Sequence, residues 1–313
     1  MGTVRSAKSC AGSCATDSTL AGRLRQLYRK TLQRPLRTAI YGGFVAIQTL
    51  LRAIGFRAAR RLSRGIGHVA ATVLPYERRV AARNLQRAFP EWSESERRRV
   101  RRQAFSHLAE SAAELLFIER LADQVNLTGA EALRDTAAER GALLVGGHIG
   151  NWELFGVALA RAGVPLSVIA RRVFDPRFDR WMRAYRDCFG IETIVRDESD
   201  AARRMLGALR SGRVLVMLID QNTGVPSIDM PFFGHPAPTP SGAARLAARG
   251  TPTWSGWIRR TAPGRHIAEV RPVALDDPAD QAATTALLNH EIESAIRAAP
   301  EQWVWFHRRW ADN

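Results

Sequence analysis

His148 and Glu153 are the two residues of this chain whose types and spacing most directly suggest chemistry. An imidazole can take up a proton near neutral pH, and a nearby carboxylate can orient the ring and stabilise its cation. Such a pair suits the activation of a hydroxyl group as a nucleophile. The alternative is a histidine that bonds to the backbone of a turn, beside an ordinary acid in the first turn of a helix.

The spacing of His148 and Glu153 requires a bend between them. On a continuous α-helix with ~3.6 residues per turn, five residues would turn the two side chains about 140° apart. Residues 142–145 form an apolar run typical of a buried strand, and residues 152–161 repeat apolar side chains at helical spacing. We therefore predict a strand, a glycine-rich turn that carries His148, and a helix with Glu153 in its first turn. This places the pair at the carboxyl end of a strand, where open α/β folds bind their ligands.

Beyond residue 125 the chain alternates short apolar runs with helical stretches, which predicts an α/β fold with a mostly parallel, helix-covered sheet. A capping box of Ser93 and Glu96 predicts an earlier helix from Glu94 to about Arg120. The predicted strands are 143–146, 166–170, 191–195 and 214–220, with helices after His148 and at 177–189 and 199–210, antiparallel edge strands at 254–259 and 266–273, and a final helix at 284–298.

The positive charge of the chain is concentrated at its front. The 313 residues carry a formal net charge of +16, and residues 1–105 alone hold 22 Lys and Arg against 5 Asp and Glu. Such a region can contact nucleic acid or anionic lipid, or it can be a solvated face. The uncharged stretch from Thr38 to Leu51, flanked by arginines on both sides, favours a membrane surface. No recognisable nucleic-acid-binding pattern accompanies the arginines, so we expect no nucleic-acid partner.

The apolar stretch is short for a membrane span. Its fourteen residues would cover only about 21 Å of helix against a hydrocarbon core of about 30 Å. Snorkelling of Arg52 would extend the run to Phe56, so a span, an interfacial helix and a plain buried helix all stay open, with interfacial attachment slightly favoured. We predict a disordered basic tail at 1–35, a basic helical membrane-attachment region at 36–120 and an α/β core at 121–313.

Several chemistries are disfavoured by the motifs that the sequence lacks. It contains no Gly-x-Ser-x-Gly elbow, no His-Glu-x-x-His zinc motif, and no phosphate-binding or dinucleotide-binding glycine loop after a strand. The three cysteines have neither metal-ligand spacing nor an even number for disulfides. We therefore expect no metal ion.

The run from His148 to Glu153 resembles the His-four-residues-acid motif of the lysophospholipid and lipid A acyltransferases. Its surroundings are similar to the lauroyl/myristoyl acyltransferases of lipid A biosynthesis, and further blocks follow in the family's order. Arg172 and Asp175 depart from the family's usual proline and asparagine. The further blocks are Asn84-Leu85 with Phe89-Pro90-Glu91, Ala170-Arg171-Arg172 with Asp175-Pro176, Gly212 to Gln221, Phe232-Phe233-Gly234 with Thr239-Pro240-Ser241-Gly242, and Ala299 to Trp310.

The resemblance implies a fold of the glycerolphosphate-acyltransferase type and an O-acyltransferase without a cofactor. The implied co-substrate is the thioester of a fatty acyl carrier protein, and the implied acceptor is a hydroxyl of a lipid A precursor. This secondary acylation of lipopolysaccharide biosynthesis would take place at the cytoplasmic face of the bacterial inner membrane. A lysophospholipid, a mannosylated inositol lipid or an aminolipid as acceptor, acyl-CoA as donor, and a non-catalytic membrane-associated protein of the same fold remain alternatives.

His148 is the expected general base, and Glu153 is expected to hold its imidazole. Arg171 ends a predicted strand, where it can polarise a carbonyl or bind a phosphate, or can form a structural ion pair. The oxyanion is expected to be stabilised by Arg171 or by backbone N–H groups of the glycine turn. Asp220 ends a very apolar strand, and the resemblance marks it together with its neighbour. The predicted substrate-binding residues are Asn151, Arg171, Asp220 and Gln221.

Overall fold

A computed structural model of the chain describes residues 34–173 and 175–310. The predicted disordered tail lies almost entirely outside these residues. The helices are α1 (Arg34–Ala53), α2 (Gly55–Val73), α3 (Pro75–Ala88), α4 (Glu94–Glu114), α5 (Ile118–Ala122), α6 (Ala130–Arg140), α7 (Trp152–Arg161), α8 (Pro176–Asp187), α9 (Ala201–Arg210), α10 (Gly242–Ala247) and α11 (Gln281–Ala298), with short 3-10 turns at Leu115–Phe117 and Pro300–Gln302.

The central feature is a seven-stranded sheet in the order β1-β9-β8-β2-β5-β3-β4. All neighbouring strands in it run parallel except β8 and β9, so the predicted α/β fold with a mostly parallel, helix-covered sheet is confirmed. The strands are β1 (Val125–Thr128), β2 (Ala142–Gly146), β3 (Leu166–Ala170), β4 (Glu192–Val195), β5 (Val214–Leu218), β8 (Thr253–Ala262) and β9 (Arg265–Pro272), and β6 (Ser227–Phe232) pairs with β7 (His235–Pro240) in a separate antiparallel hairpin.

The prediction that β8 and β9 lie at the edge of the sheet is wrong, although they are antiparallel to each other. β8 also pairs with β2, and β1 pairs with the outer side of β9. The four-residue strand β1 was missed because its alternating burial is too brief to give a periodic pattern. The other predicted strands and helices are present with ends shifted by a few residues, except that the helix predicted from Glu94 to about Arg120 ends at Glu114 and is followed by a 3-10 turn and α5. The capping box of Ser93 and Glu96 is also confirmed.

Strands β3 and β5 part at the carboxyl end of the sheet. They pair from Leu166 and Val214 up to Val168 and Val216. Beyond those residues β3 continues only beside β4, and β5 continues only beside β2. Side chains from both faces of the sheet can therefore meet in the gap between the two strand ends.

Helix α2 has its small residues turned inward and its large aliphatic residues turned outward. Gly67 lies against α4, where an added Cβ would sit 2.5 Å from the Cα of Ser106. Such close helix packing requires small side chains on the inner face, and Ala59, Ser63, Gly67 and Ala71 are buried there. The outer aliphatic residues, here called the α2 stripe, are Leu62, Ile66, Val69 and Val73, all exposed.

Within the part of the chain that the structure describes, no helix combines the length and apolar character that crossing a bilayer requires. Attachment through residues 36–120 and the predicted domain boundaries stay predictions.

Candidate active site

The turn between β2 and α7 carries His148, as predicted. Gly150 has φ 62°, and a Cβ at that position would lie 2.1 Å from the carbonyl oxygen of Ile258 in β8. Only glycine combines this left-handed backbone with so close an approach. Asn151 then caps α7, because its side-chain oxygen accepts a hydrogen bond from the N–H of Leu154. The sequence of this turn therefore fixes where the imidazole stands.

Asp220 is the carboxylate that holds the imidazole of His148. The Nδ1 of His148 lies 2.8 Å from Oδ1 of Asp220, and the backbone N–H of His148 donates to Oδ2 of the same carboxylate at 2.8 Å. The side chain of Asp220 is 0% exposed, whereas that of His148 is 24% exposed. Since Asp220 accepts a hydrogen bond from the Nδ1–H group, the unprotonated Nε2 is the basic nitrogen of the imidazole.

Trp303 completes the support of this pair from the carboxyl-terminal block. Its indole Nε1 donates to Oδ2 of Asp220 at 2.7 Å, and the tryptophan is itself buried. A bridge between Ile149 and Trp303, together with a hydrogen bond from the N–H of Gly150 to the carbonyl of Gln302, ties the turn that carries His148 to the same block.

The contact between His148 and Asp220 makes the imidazole more basic. Burial disfavours the charged form of His148, but the negative charge of Asp220 and its hydrogen bond outweigh burial, with a further contribution from the charge of Glu153. The pKa of His148 is therefore raised above its ordinary value of 6.5. Burial would raise the pKa of Asp220, yet the charge of His148 and the hydrogen bonds from His148 and Trp303 lower it, so the carboxylate stays ionised.

The expected contact between Glu153 and the imidazole is not the one the structure forms. The carboxylate of Glu153 instead pairs with the guanidinium of Arg186 in α8, through contacts of 2.5 and 3.0 Å. The side chain leaves the first turn of α7 toward α8 because Arg186 offers it a bidentate partner, while Asp220 already occupies Nδ1. Glu153 acts on His148 through its charge. A catalytic role for Glu153 stays a prediction.

Asn151 is placed beneath the turn and does not line the cavity. Its side chain is buried, and its amide donates to Oε2 of Glu114 at 3.0 Å and to the carbonyl of Ser111 at 3.3 Å. Glu114 is bound in turn by Arg260, at 2.7 Å. The side chain of Asn151 thus positions the turn through buried hydrogen bonds, and substrate binding by this residue stays a prediction.

A cavity of about 650 Å³ opens beside the imidazole. Its inner wall is apolar and draws on both faces of the sheet where β3 and β5 part, with Val168 and Val216 on one face and Ile169 and Met217 on the other. His148 stands in the lining together with Trp152, whose ring packs edge-on to the imidazole at 5.1 Å between centroids. An apolar inner wall of this kind suits a long hydrocarbon chain.

The polar part of the cavity lining contains Glu153, Arg171 and Gln221. The structure thus brings these three predicted residues to one cavity with His148. Of the two expected oxyanion donors, the glycine turn is largely committed, because the N–H groups of His148, Ile149 and Gly150 all donate to groups of the protein. Arg171 remains as the donor that faces the cavity.

Sequence reasoning missed Trp303, Arg186 and His307 as parts of the site. His307 lines the cavity, and burial lowers its pKa despite the charge of Asp220. Trp303 and His307 fall in the block Ala299 to Trp310, which resembled a family segment, so that block held the signal. Arg186 lies in a predicted helix and carried no signal that distinguished it from the many other arginines.

Within residues 34–173 and 175–310, no group of three or more His, Cys, Asp or Glu side chains is arranged to hold a metal ion. The expected absence of a metal and of a cofactor stays a prediction.

A carboxylate-held histidine at the carboxyl edge of an α/β sheet, beside a cavity with an apolar wall, is an arrangement that suits base chemistry next to a lipid chain. Comparison with known families gives the more specific assignment. Residues 28–312 match the model of the bacterial lipid A biosynthesis acyltransferases. The chain belongs to this family and is an O-acyltransferase.

Individual relatives agree with the family. The chain is 29% identical over 280 residues to the lipid A biosynthesis lauroyltransferase of Escherichia coli K12, covering 85% of this chain and 89% of the relative. It is 26% identical to the lipid A biosynthesis acyltransferase of Haemophilus influenzae, covering 82% of each chain. A phosphatidylinositol mannoside acyltransferase of Mycobacterium tuberculosis is 27% identical over 180 residues, or 56% of each chain.

Proposed function

We propose that this protein transfers a fatty acyl chain from the thioester of an acyl carrier protein to a hydroxyl of a lipid A precursor. The observation that carries the proposal is the pair of His148 and Asp220 at a cavity of about 650 Å³ with an apolar wall. The names of the Escherichia coli and Haemophilus influenzae relatives support lipid A as the product class.

In the proposed reaction, Nε2 of His148 removes the proton of the acceptor hydroxyl as its oxygen attacks the thioester carbonyl. The negative charge that develops on the carbonyl oxygen is stabilised by Arg171. The carbon–sulfur bond then breaks, the thiolate leaves, and the imidazolium returns the proton to it as a thiol. Asp220 keeps the imidazole in the productive tautomer and stabilises its transient positive charge.

The charges around the cavity support an anionic donor. Arg171, Arg186, Arg196 and Arg245 line it, and Glu153 is the one acidic side chain among its lining residues. The carboxylate of Glu153 is paired with the guanidinium of Arg186. The surplus of arginine would attract an acidic carrier protein or the phosphate on a carrier's thiol-bearing arm.

The α2 stripe supports action at a membrane surface. Val69 and Val73 are 59% and 62% exposed, and exposed aliphatic rows of this kind mark interaction surfaces. The arginines of the same helix add positive charge that would favour an anionic surface. We propose the cytoplasmic face of the bacterial inner membrane as the location, because acyl carrier protein is a cytoplasmic donor.

A second candidate acceptor is a mannosylated inositol lipid. It is favoured by the 27% identity to the Mycobacterium tuberculosis phosphatidylinositol mannoside acyltransferase. The chemistry at His148 would be unchanged, and only the acceptor would differ. The longer coverage of the Escherichia coli lauroyltransferase, 85% against 56% of this chain, favours lipid A as the first candidate.

The test is an acyl-transfer assay with labelled acyl carrier protein and each acceptor in turn. We expect transfer to the lipid A precursor, and a loss of about 10²- to 10⁴-fold in the variant His148→Gln, because a general base supplies that much of the rate. His290→Gln is the matched control, since His290 is exposed on α11 away from the cavity. Near-normal transfer by His148→Gln, or transfer only to the mannosylated inositol lipid, would contradict the proposal.

A further inference from the structure

A second depression, of about 370 Å³, shares no lining residue with the active-site cavity. It lies where the start of α2 meets α5 and the tip of the β8–β9 hairpin. Here it is called the arginine pocket, after the residues Arg57, Arg60, Arg61, Arg120 and Arg265 that line it together with Phe56, Leu121, Gln124, Pro263 and Gly264.

The arginine pocket has a strong surplus of positive charge. No acidic side chain is among its lining residues. Arg60 pairs with Glu110 at 3.0 Å. In the described part of the chain, Arg57, Arg61, Arg120 and Arg265 form no ion pair. Like charges gathered in one depression repel one another, and an anion bound among them would remove that repulsion.

The pocket is built by packing between segments far apart in sequence. Gly264 has φ 70°, and a Cβ there would lie 3.0 Å from the ring of Phe56 and 3.5 Å from the side chain of Leu121. Glycine at the hairpin tip thus allows Arg265 to approach the start of α2. Phe56 is held in turn by an edge-on contact with Phe117, at 5.5 Å between ring centroids.

Two further properties of α2 indicate which anion fits. The helix begins at Gly55, so the positive end of its dipole is at the pocket, next to Arg57. Guanidinium groups bind phosphate through paired, charge-assisted hydrogen bonds. Phe56, also on α2, stands in the lining, so the hydrocarbon next to a headgroup phosphate would find an apolar contact there.

We propose that the arginine pocket binds a phosphate group, either on a lipid headgroup or as free phosphate. The site lies outside the acyl-transfer chemistry and goes beyond the proposed function, since no step of that reaction uses its residues. The apolar side chains of Phe56 and Leu121 in the lining favour the headgroup as the source of the phosphate.

The test is calorimetric titration of the full-length protein in detergent, with no acyl donor present. One arm uses inorganic phosphate, and the other uses dihexanoyl phosphatidate, a short-chain phosphatidate that stays in solution. We expect saturable binding that is at least tenfold tighter for the phosphatidate, which assigns the site to a headgroup. Equal affinities for the two probes would support a site for free phosphate. Absence of saturable binding in both arms would overturn the proposal.

Paired variants localise the binding. Arg120→Gln with Arg265→Gln should weaken the Kd at least tenfold, and the lysine pair Arg120→Lys with Arg265→Lys should retain part of the affinity, since it keeps charge but loses bidentate bonds. The control pair Arg79→Gln with Arg99→Gln removes the same charge from exposed positions outside the pocket. Equal weakening by the control pair would show a general charge effect and would also overturn the proposal. Melting temperatures check that each variant is folded.

Discussion

At the scale of single residues, the geometry of the site depends on the two hydrogen bonds that the carboxylate of Asp220 accepts from His148. Asp220 accepts from both the ring and the backbone of His148, so it fixes the position and the tautomer of the imidazole together. The indole N–H of Trp303 donates to Oδ2, the oxygen that also accepts the backbone N–H of His148. A buried carboxylate with three donors is costly to disturb, because removal of any partner leaves the fully buried Asp220 with an unmet hydrogen bond.

Replacement of Asp220 by asparagine is expected to change both rate and pH dependence. The base works only when His148 is neutral, so activity falls as the pH drops through the pKa of His148. Without the negative charge of Asp220, that pKa falls, and the acid limb of the kcat/KM profile should move to lower pH. The maximal rate should fall about 10²- to 10⁴-fold, because asparagine can also bind the wrong tautomer.

Glu153→Gln is the comparison for this profile. Glu153 contributes to the raised pKa of His148 through charge alone, and its influence ranks below that of Asp220. The acid limb should therefore move in the same direction by a smaller amount. An acid limb that stays in place in Asp220→Asn, or that moves further in Glu153→Gln, would show that Asp220 does not control the imidazole.

At the scale of elements, the turn between β2 and α7 is held on one side by β8 and on the other by the block after α11. The close approach of the turn to β8 requires glycine at position 150. On the other side, the N–H of Gly150 donates a hydrogen bond to the carbonyl of Gln302. The turn is therefore held by contacts on both sides, and these contacts fix the position of the His148 imidazole in the cavity lining.

Gly150→Ala is expected to destabilise the protein by more than about 2 kcal/mol, because a left-handed backbone with a Cβ and a clash with β8 add together. The matched control is Gly190→Ala, where φ is 71° but nothing lies within 4 Å of an added Cβ. There only the backbone term applies, about 1 kcal/mol. Urea unfolding measures both, and equal losses would mean that β8 does not restrain the turn.

The buried polar cluster under the turn makes a separate prediction about acid stability. Arg260 donates to Nδ1 of His107, so His107 must be neutral in the folded protein. Burial, followed by the charge of Arg260, lowers its pKa to about 3. The unfolded chain takes up this proton below pH 6.5 and the folded chain does not, so stability is lost as the pH falls from 6.5 toward 3.

Between about pH 6.5 and pH 5 the loss from His107 should be on the order of 2 kcal/mol in the free energy of unfolding. His148 does not contribute in this window, because its raised pKa adds stability that is constant below pH 6.5 and is lost only at higher pH. Unfolding curves at several pH values measure the loss. His107→Gln, which cannot titrate, should show a flatter pH dependence, and an unchanged dependence would contradict the assignment.

At the scale of the whole molecule, two features provide the apolar surfaces that a lipid enzyme needs. They are the separation of β3 from β5 and the α2 stripe. The first gives a cavity that passes between strand ends beside His148. The α2 stripe gives an exposed aliphatic row on a helix that also carries arginines. One surface suits the transferred chain, and the other suits the membrane that contains the acceptor.

The double variant Ile66→Gln with Val69→Gln is expected to weaken binding to anionic vesicles at least tenfold. Each aliphatic side chain contributes about 1.5 to 3 kcal/mol when it is fully removed from water, and the stripe would bury only part of each. Vesicle co-flotation measures the loss. The control pair Leu108→Gln with Val173→Gln removes exposed aliphatic side chains outside the stripe. An equal loss in the control would show that the stripe is not the docking surface.

Local sequence patterns by themselves determined most of the secondary structure around the site. Apolar runs and helical spacing predicted β2, β3, β4 and β5, the helices between them and the turn with His148, because those signals arise from neighbours in the chain. Glycines marked the turn for the same reason. Sequence also placed Asp220 at the end of a strand that the resemblance marked.

Only the tertiary structure decided which acid serves the imidazole. Glu153 is five residues from His148 and Asp220 is 72 residues away, yet β2 and β5 are neighbours in the sheet and Asp220 follows β5. Strand order depends on the packing of the whole chain, which no local pattern encodes. The same holds for Trp303 and Arg186, whose roles arise from contacts between distant segments, and for the cavity, which exists only because two paired strands separate.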